Sequence, residues 1–289
     1  MGLDKRLGRR YGLGMTDTVA ARDFFPRGLI QPEGSFRFSI DALLLAAFAA
    51  RVARPPTGAG QPPLLLDLGC GCGVAAFGVM LQRPEFTTIG LDKQTRLLVA
   101  AAANAARLGF GRQYRTMAAD LEAPAGQAEL ERLFAMRKAD LVIANPPYHL
   151  PGSGRLPASE SRRQALFGGA GNLAAFVRAS ALAAGDTGAV CLIFPFARAE
   201  ELIARLADYG LQTARKLPVC SKRGEAPFFC LLAAQKNAGP SSGPDSELIL
   251  YGGNRTGQGG LTEEALLFCP FLACNPKRIQ GPPLGVSPL

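Results

Sequence analysis

Apolar positions along the chain fall into short blocks of two kinds. From Asp41 to Val52, DALLLAAFAARV is apolar on nearly every side and is stopped by Arg54-Pro55-Pro56, which predicts a buried helix with Asp41 near its N-terminus. From residue 64 onward the blocks alternate. Apolar strands at 64–68 (LLLDL), 87–92 (TTIGLD), one ending near Asp120, 140–144 (DLVIA) and 189–194 (AVCLIF) are separated by helical stretches at about 73–82, 94–108, 127–137 and 172–184. The stretch from Leu97 to Ala106 is apolar except for Asn104. A further helix at 198–209 precedes two strands, 211–219 and 227–235, whose short connection through Ser221-Lys222-Arg223-Gly224 makes that pair antiparallel. Strands alternating with helices predict βαβ units. The expected fold is therefore an α/β sheet of seven strands, mostly parallel, with an antiparallel last strand.

The ends of the chain lack this regularity. Residues 1–30 read as an N-terminal arm, with Met15 a second candidate start, and GPSSGPDS (239–246) reads as a linker to a short Gly/Pro-rich tail ending at 289. No apolar stretch approaches the roughly 20 residues that span a bilayer, and the first residues lack the apolar segment of a secretory signal. Seven cysteines, several set inside apolar strands, read as reduced thiols of a cytoplasmic protein. The net charge of +9 invites a nucleic-acid partner. Only 7 of the 32 basic residues are Lys, however, in a chain rich in Ala, Gly, Pro and Arg, a bias that a GC-rich genome also produces. Charge alone does not decide between the two.

The first strand runs into Gly69-Cys70-Gly71-Cys72-Gly73, where glycines admit positive φ and close approach of a ligand to the backbone. Gly71, Gly73 and Ala76 also satisfy the dinucleotide fingerprint G-x-G-x-x-A. Asp67 just before them argues against a pyrophosphate, which it would repel, and suits an amino acid's ammonium group. Asp92, at the end of the second strand, can accept ribose hydroxyls or cap the next helix. Asp120 can read an adenine's exocyclic amine or be a surface turn residue. Taken together, Asp67, Gly69, Gly71, Gly73, Asp92 and Asp120 describe a nucleoside carrying an amino acid, which is S-adenosylmethionine. The Cys70-x-Cys72 pair has no partners for the four ligands a zinc site wants, so no metal is expected.

The fourth strand ends in Asn145-Pro146-Pro147-Tyr148. With this motif the chain, over residues 62–237, resembles the Rossmann-like methyltransferases that modify planar amino nitrogens and carry Asn/Asp-Pro-Pro-Tyr/Phe. The resemblance implies that the Asn145 side-chain oxygen and the Pro146 carbonyl accept the two N–H bonds of the reacting amine while Tyr148 stacks on its ring. It also implies one methyltransferase domain over 31–238 between the arm and the tail. The segment GSFRFSIDALLLAAFA (34–49) and the tail motif LTEEALLF (261–268) are more narrowly similar to the bacterial family that methylates N6 of the adenine beside the anticodon of a valine tRNA. Phe36 and Arg37 in that segment, His149 beside the motif, and Arg162 and Arg163, which either grip phosphates or belong to a solvated loop, are the candidate substrate contacts, with tRNA as the implied partner. Three rivals stand. Release-factor glutamine methyltransferases share Asn-Pro-Pro-Tyr but carry a longer helical N-terminal domain, rRNA guanine methyltransferases more often show Asn-Pro-Pro-Phe, and a non-catalytic RNA-binding domain would not need Asn145, Asp67 and Asp92 intact.

Overall fold

In the computed structural model, residues 18–35, 37–54, 60–147, 170–239, 246–252 and 260–274 are described. The chain enters through α1 (Thr18–Asp23) and the buried α2 (Ile40–Val52), then alternates β1 (Leu64–Leu68), α3 (Val74–Gln82), β2 (Thr87–Asp92), α4 (Thr95–Arg107), β3 (Tyr114–Ala118), α5 (Pro124–Met136) and β4 (Ala139–Ala144). After it come α6 (Ala170–Ala183), β5 (Ala184–Pro195), α7 (Ala199–Asp208), β6 (Gln212–Lys222), β7 (Phe229–Gln235), β8 (Leu248–Tyr251) and α8 (Glu263–Phe268). Among the described residues no helix is long and apolar enough to cross a membrane.

The strands form one sheet in the order β3-β2-β1-β4-β5-β7-β6-β8. Pairs from β3 through β5 are parallel, and β7 lies antiparallel between β5 and β6, as the short 221–224 connection requires. Among the described residues the sheet has eight strands rather than seven because the tail returns as β8, parallel to β6 along Val219↔Leu248 and Cys220↔Ile249.

Period-two alternation sends side chains of each strand to opposite faces, and two apolar clusters result. Leu65, Leu141, Ile143, Cys191 and Ile193 point to the face covered by α2, α3 and α4, whereas Leu66, Val142, Ala144, Val190 and Leu192 point to the face covered by α5, α6 and α7. Both faces are covered, which is why the central strands read as continuous apolar runs. Helix α2 packs against α3 and lies over β4, β5 and β7. Its Leu43, Leu44 and Leu45 are wholly buried, each contributing roughly 1.5–3 kcal/mol. This docking brings the first turn of α2 to the carboxyl end of β4.

Successive strands run from β1 outward to β2 and β3, and the chain then crosses back to β4 on the other side of β1. That switch point opens a crevice beyond the carboxyl ends of the parallel strands. Part of the arm is fastened to the helices that flank it. Phe25 is buried against Phe271 at 4.9 Å between ring centroids, and Arg27 donates to the Cys274 carbonyl. Ile30 is held at both its N–H and its carbonyl by Asn104, whose Nδ2 also donates to the Cys72 carbonyl at 3.0 Å. The polar residue that interrupts the apolar run of α4 thus ties the arm to the glycine loop.

Candidate active site

A cavity of about 180 Å³ occupies the crevice. Its walls bring together Asp67, Gly69, Gly71, Asp92, Asp120, Asn145 and Pro146 of the residues expected from sequence. Gly73 is not on the wall and serves instead as the left-handed N-cap of α3. Arg37 is exposed and is absent from the lining. Phe36, Tyr148, His149, Arg162 and Arg163 lie outside the described residues.

The glycine loop requires glycine. Gly69, Gly71 and Gly73 have φ of 71°, 56° and 88°, where an L side chain is strained, and a Cβ at Gly73 would meet the Phe77 ring at 2.4 Å. Two hydrogen bonds anchor the loop to the end of β2: the Cys70 N–H donates to the Leu91 carbonyl, and the Gly71 N–H to Asp92 Oδ2, both at 2.9 Å. Asp92 Oδ1 accepts from the Gln94 N–H at 2.8 Å. Asp92 is therefore a clamp between loop and helix start rather than the N-cap of α4, a position that Gln94 occupies. Burial raises its pKa, and the Gln94 and Gly71 N–H groups and Lys93 pull it back.

Asp67 is only 3% exposed, and its Oδ2 has no hydrogen-bond partner among the described residues. Its pKa is pushed up to about 7, first by burial and further by Asp92, against a hydrogen bond from the Ala76 backbone. An orphaned carboxylate oxygen on a cavity wall needs a donor, and an ammonium group supplies one together with a compensating charge. A pyrophosphate does not fit: the wall carries two buried carboxyls, and the Gly71 N–H that would cradle a phosphate is already taken by Asp92. Asp120 Oδ1 accepts from the Glu122 N–H at 3.0 Å, and Leu91, Leu121 and Phe176 add apolar surface to the cavity wall. Burial holds the Cys72 thiol up at about 12 and Cys70 well above its usual value, so both stay protonated and uncharged at neutral pH.

On the other side, Asn145 Nδ2 donates to Asp41 Oδ2 at 3.0 Å across 104 residues of chain. Asn145 Oδ1 is buried with no partner among the described residues. Sequence reading placed Asp41 at a helix start and missed this contact. The signal that could have found it is an acid in the first turn of a helix otherwise apolar on all sides. Asn172, also on the wall, was missed as well: its Nδ2 donates to Glu122 at 3.3 Å, and its Oδ1 is buried and unpartnered among the described residues.

Residues 64–177 match the family model of a methyltransferase domain. A predicted O-methyltransferase from Agrobacterium tumefaciens has the same fold, with a TM-score of 0.56 at 18% identity over 80% of this chain and 96% of that one. The domain of residues 64–177 is that of an S-adenosylmethionine-dependent methyltransferase, and orphaned Asp67 Oδ2 lies on the wall of its cavity. Among proteins of similar sequence, the tRNA1(Val) (adenine(37)-N6)-methyltransferase of Pasteurella multocida is 27% identical over 75% of this chain and 83% of its own. That of Tolumonas auensis is 26% identical over 64% and 73%. The release factor glutamine methyltransferase of Bordetella pertussis is 32% identical over 52% of this chain, which spans about half (54%) of that relative's length.

Proposed function

We propose that the protein transfers a methyl group from S-adenosylmethionine to the exocyclic N6 amine of an adenine in tRNA, in the cytoplasm. The observation that carries this reading is Asn145 Oδ1, a buried acceptor without a partner among the described residues, on the wall of the same cavity as Asp67 and Asp92. The cofactor supplies an electrophilic methyl group on a sulfonium. Asp67 takes the ammonium of its amino-acid part, Asp92 takes ribose hydroxyls with the lone pairs its backbone donors leave, and Asp120 reads the adenine, while the positive-φ turns at Gly69, Gly71 and Gly73 keep the loop low beside it.

The target nitrogen is a poor nucleophile because its lone pair is delocalised into the ring. Asn145 Oδ1 and the Pro146 carbonyl accept its two N–H bonds, which favours a pyramidal nitrogen with a localised lone pair, and the prolines hold both acceptors rigid. These contacts strengthen as positive charge develops on nitrogen. Tyr148 stacks on the base once it has left its own stack. Phe36, Arg37 and His149 line the approach, and Arg162 and Arg163 take phosphates.

Glutamine methylation of a release factor is the second reading, favoured by the Bordetella relative at 32% identity. An amide N–H₂ is a planar donor of the same kind, so the Asn145 and Pro146 acceptors suit it too. The test is to incubate the protein with labelled S-adenosylmethionine and unmodified tRNA, rRNA and release factor separately, then digest each polymer. Label in N6-methyladenosine from tRNA is expected. Label confined to glutamine of the release factor overturns the tRNA reading.

A further inference from the structure

We propose that Asp41 is a positioning residue for methyl transfer: it fixes the amide of Asn145 with its oxygen, not its NH₂, toward the reacting amine. The proposal rests on reading Asn145 Oδ1 as the acceptor and adds what makes that acceptor reliable.

An asparagine amide is ambivalent. Turned one way it presents a carbonyl oxygen, and turned the other way two N–H donors. The amine of an adenine or a carboxamide offers N–H bonds at this contact, so a flipped Asn145 would set donor against donor and leave buried groups unpaired, which is the expensive outcome for a polar contact. Nothing in the amide's own shape selects the useful face, since its two ends are nearly the same size. A neighbour that can only accept does select it.

Asp41 is built for that task. It is 1% exposed at the first turn of α2. Its Oδ1 accepts from the Ser39 hydroxyl at 2.5 Å and from the Ala42 N–H at 2.9 Å. With Oδ1 occupied by two donors, the carboxylate cannot swivel away, and Oδ2 stays 3.0 Å from Asn145 Nδ2. The Asn145 NH₂ is thereby committed to Asp41, and Oδ1 is left for the cavity. Buried α2, packed against α3 and over β4, holds the carboxylate at a constant height above the end of β4.

A tether that merely ties α2 to the sheet would use the same hydrogen bond, so the test must separate orientation from attachment. In Asp41→Asn the new amide keeps the Ser39 and Ala42 donors on its oxygen only by pointing its NH₂ at Asn145, which then turns its own NH₂ toward the substrate. Single-turnover methyl transfer, on whichever polymer the wild type labels, should fall about 10- to 100-fold, the range for groups that orient a ligand rather than supply it. Cofactor affinity by calorimetry and the melting temperature should stay near wild type. Asn145→Asp should be slower still, with two carboxyls face to face. The exchange Asp41→Asn/Asn145→Asp restores a donor on the helix side and an acceptor on the cavity side, and it should transfer at least tenfold faster than Asn145→Asp alone.

A wild-type rate in Asp41→Asn, or a fall in melting temperature and cofactor affinity that accounts for its whole loss, overturns the proposal. So does an exchange variant no faster than Asn145→Asp. In that case a slow Asn145→Ala leaves the acceptor reading standing. An Asn145→Ala enzyme at wild-type rate removes the acceptor reading and this proposal with it.

Discussion

The two sides of the cavity are built by different means. On one, β1, the glycine loop and the end of β2 are consecutive or adjacent pieces of chain, and the backbone does most of the holding: Asp92 is gripped by the N–H groups of Gly71 and Gln94. On the other, Asn145 is held by a side chain that is 104 residues away. The difference is one of tolerance. A side chain clamped by backbone donors survives changes at its neighbours, whereas an amide held by one carboxylate is only as well placed as the helix bearing that carboxylate.

Substitutions on the two sides should therefore separate cleanly, the largest effect falling on the Asn145 side. Asn145→Ala should lower the single-turnover rate by ~10²-fold or more, as removal of one preorganised polar contact does, while cofactor affinity stays within about twofold. Equal losses in rate and affinity would show that the two sides are not independent.

Asp67→Asn comes next and acts on affinity, which should fall by ~10- to 100-fold with the loss of a charge-assisted bond. The same change should raise the melting temperature of the cofactor-free protein at pH 8 and leave it unaltered at pH 4. The sign follows from the raised pKa of about 7 against an ordinary 3.8: the folded state holds a proton that the unfolded chain releases, so stability is lost as pH rises from about 4 to 7. Wild-type affinity should accordingly climb with pH up to about 7, by at most about tenfold per unit, with a proton released on binding. Calorimetry in two buffers of different ionisation enthalpy reads that proton, and a pH-independent affinity would remove Asp67 from the ammonium position.

Asp92→Ala should have the smallest effect, about tenfold in affinity, because Leu91 still anchors the loop through Cys70. The melting temperature should fall as well, since the Gly71 and Gln94 N–H groups lose their acceptor. Unchanged affinity with a lowered melting temperature would leave Asp92 as a clamp alone.

The same contrast explains what could be read before the structure. Asp67, the glycines and Asp92 announce themselves because strand, loop and helix are contiguous, and each residue's place follows from the element it ends. The parallel order through β5 and the antiparallel β7 were legible for that reason. Strand β8 was not: it is four residues long and follows a Gly/Pro/Ser stretch, and its existence depends on docking against β6. Helix α5 begins at Pro124, three residues before the start near 127 expected from the sequence, because proline suits the first helical position. Asp41 and Asn104 stand out in the sequence only as polar residues in apolar helices, and nothing local names their partners, since Asn145, Ile30 and Cys72 are close only after the sheet has formed.

The seal between Phe25 and Phe271, and between Arg27 and the Cys274 carbonyl, joins an early part of the chain to a late one. During translation every strand of the sheet leaves the ribosome before Phe271 does, so a nascent chain has a complete sheet while its arm still lacks the contact with the tail. Asn104, which holds Ile30, and Arg22, whose Nε donates to the Leu108 carbonyl, then hold the arm. Order of synthesis thus becomes order of assembly: the sheet is complete first, and the contact between arm and tail follows it.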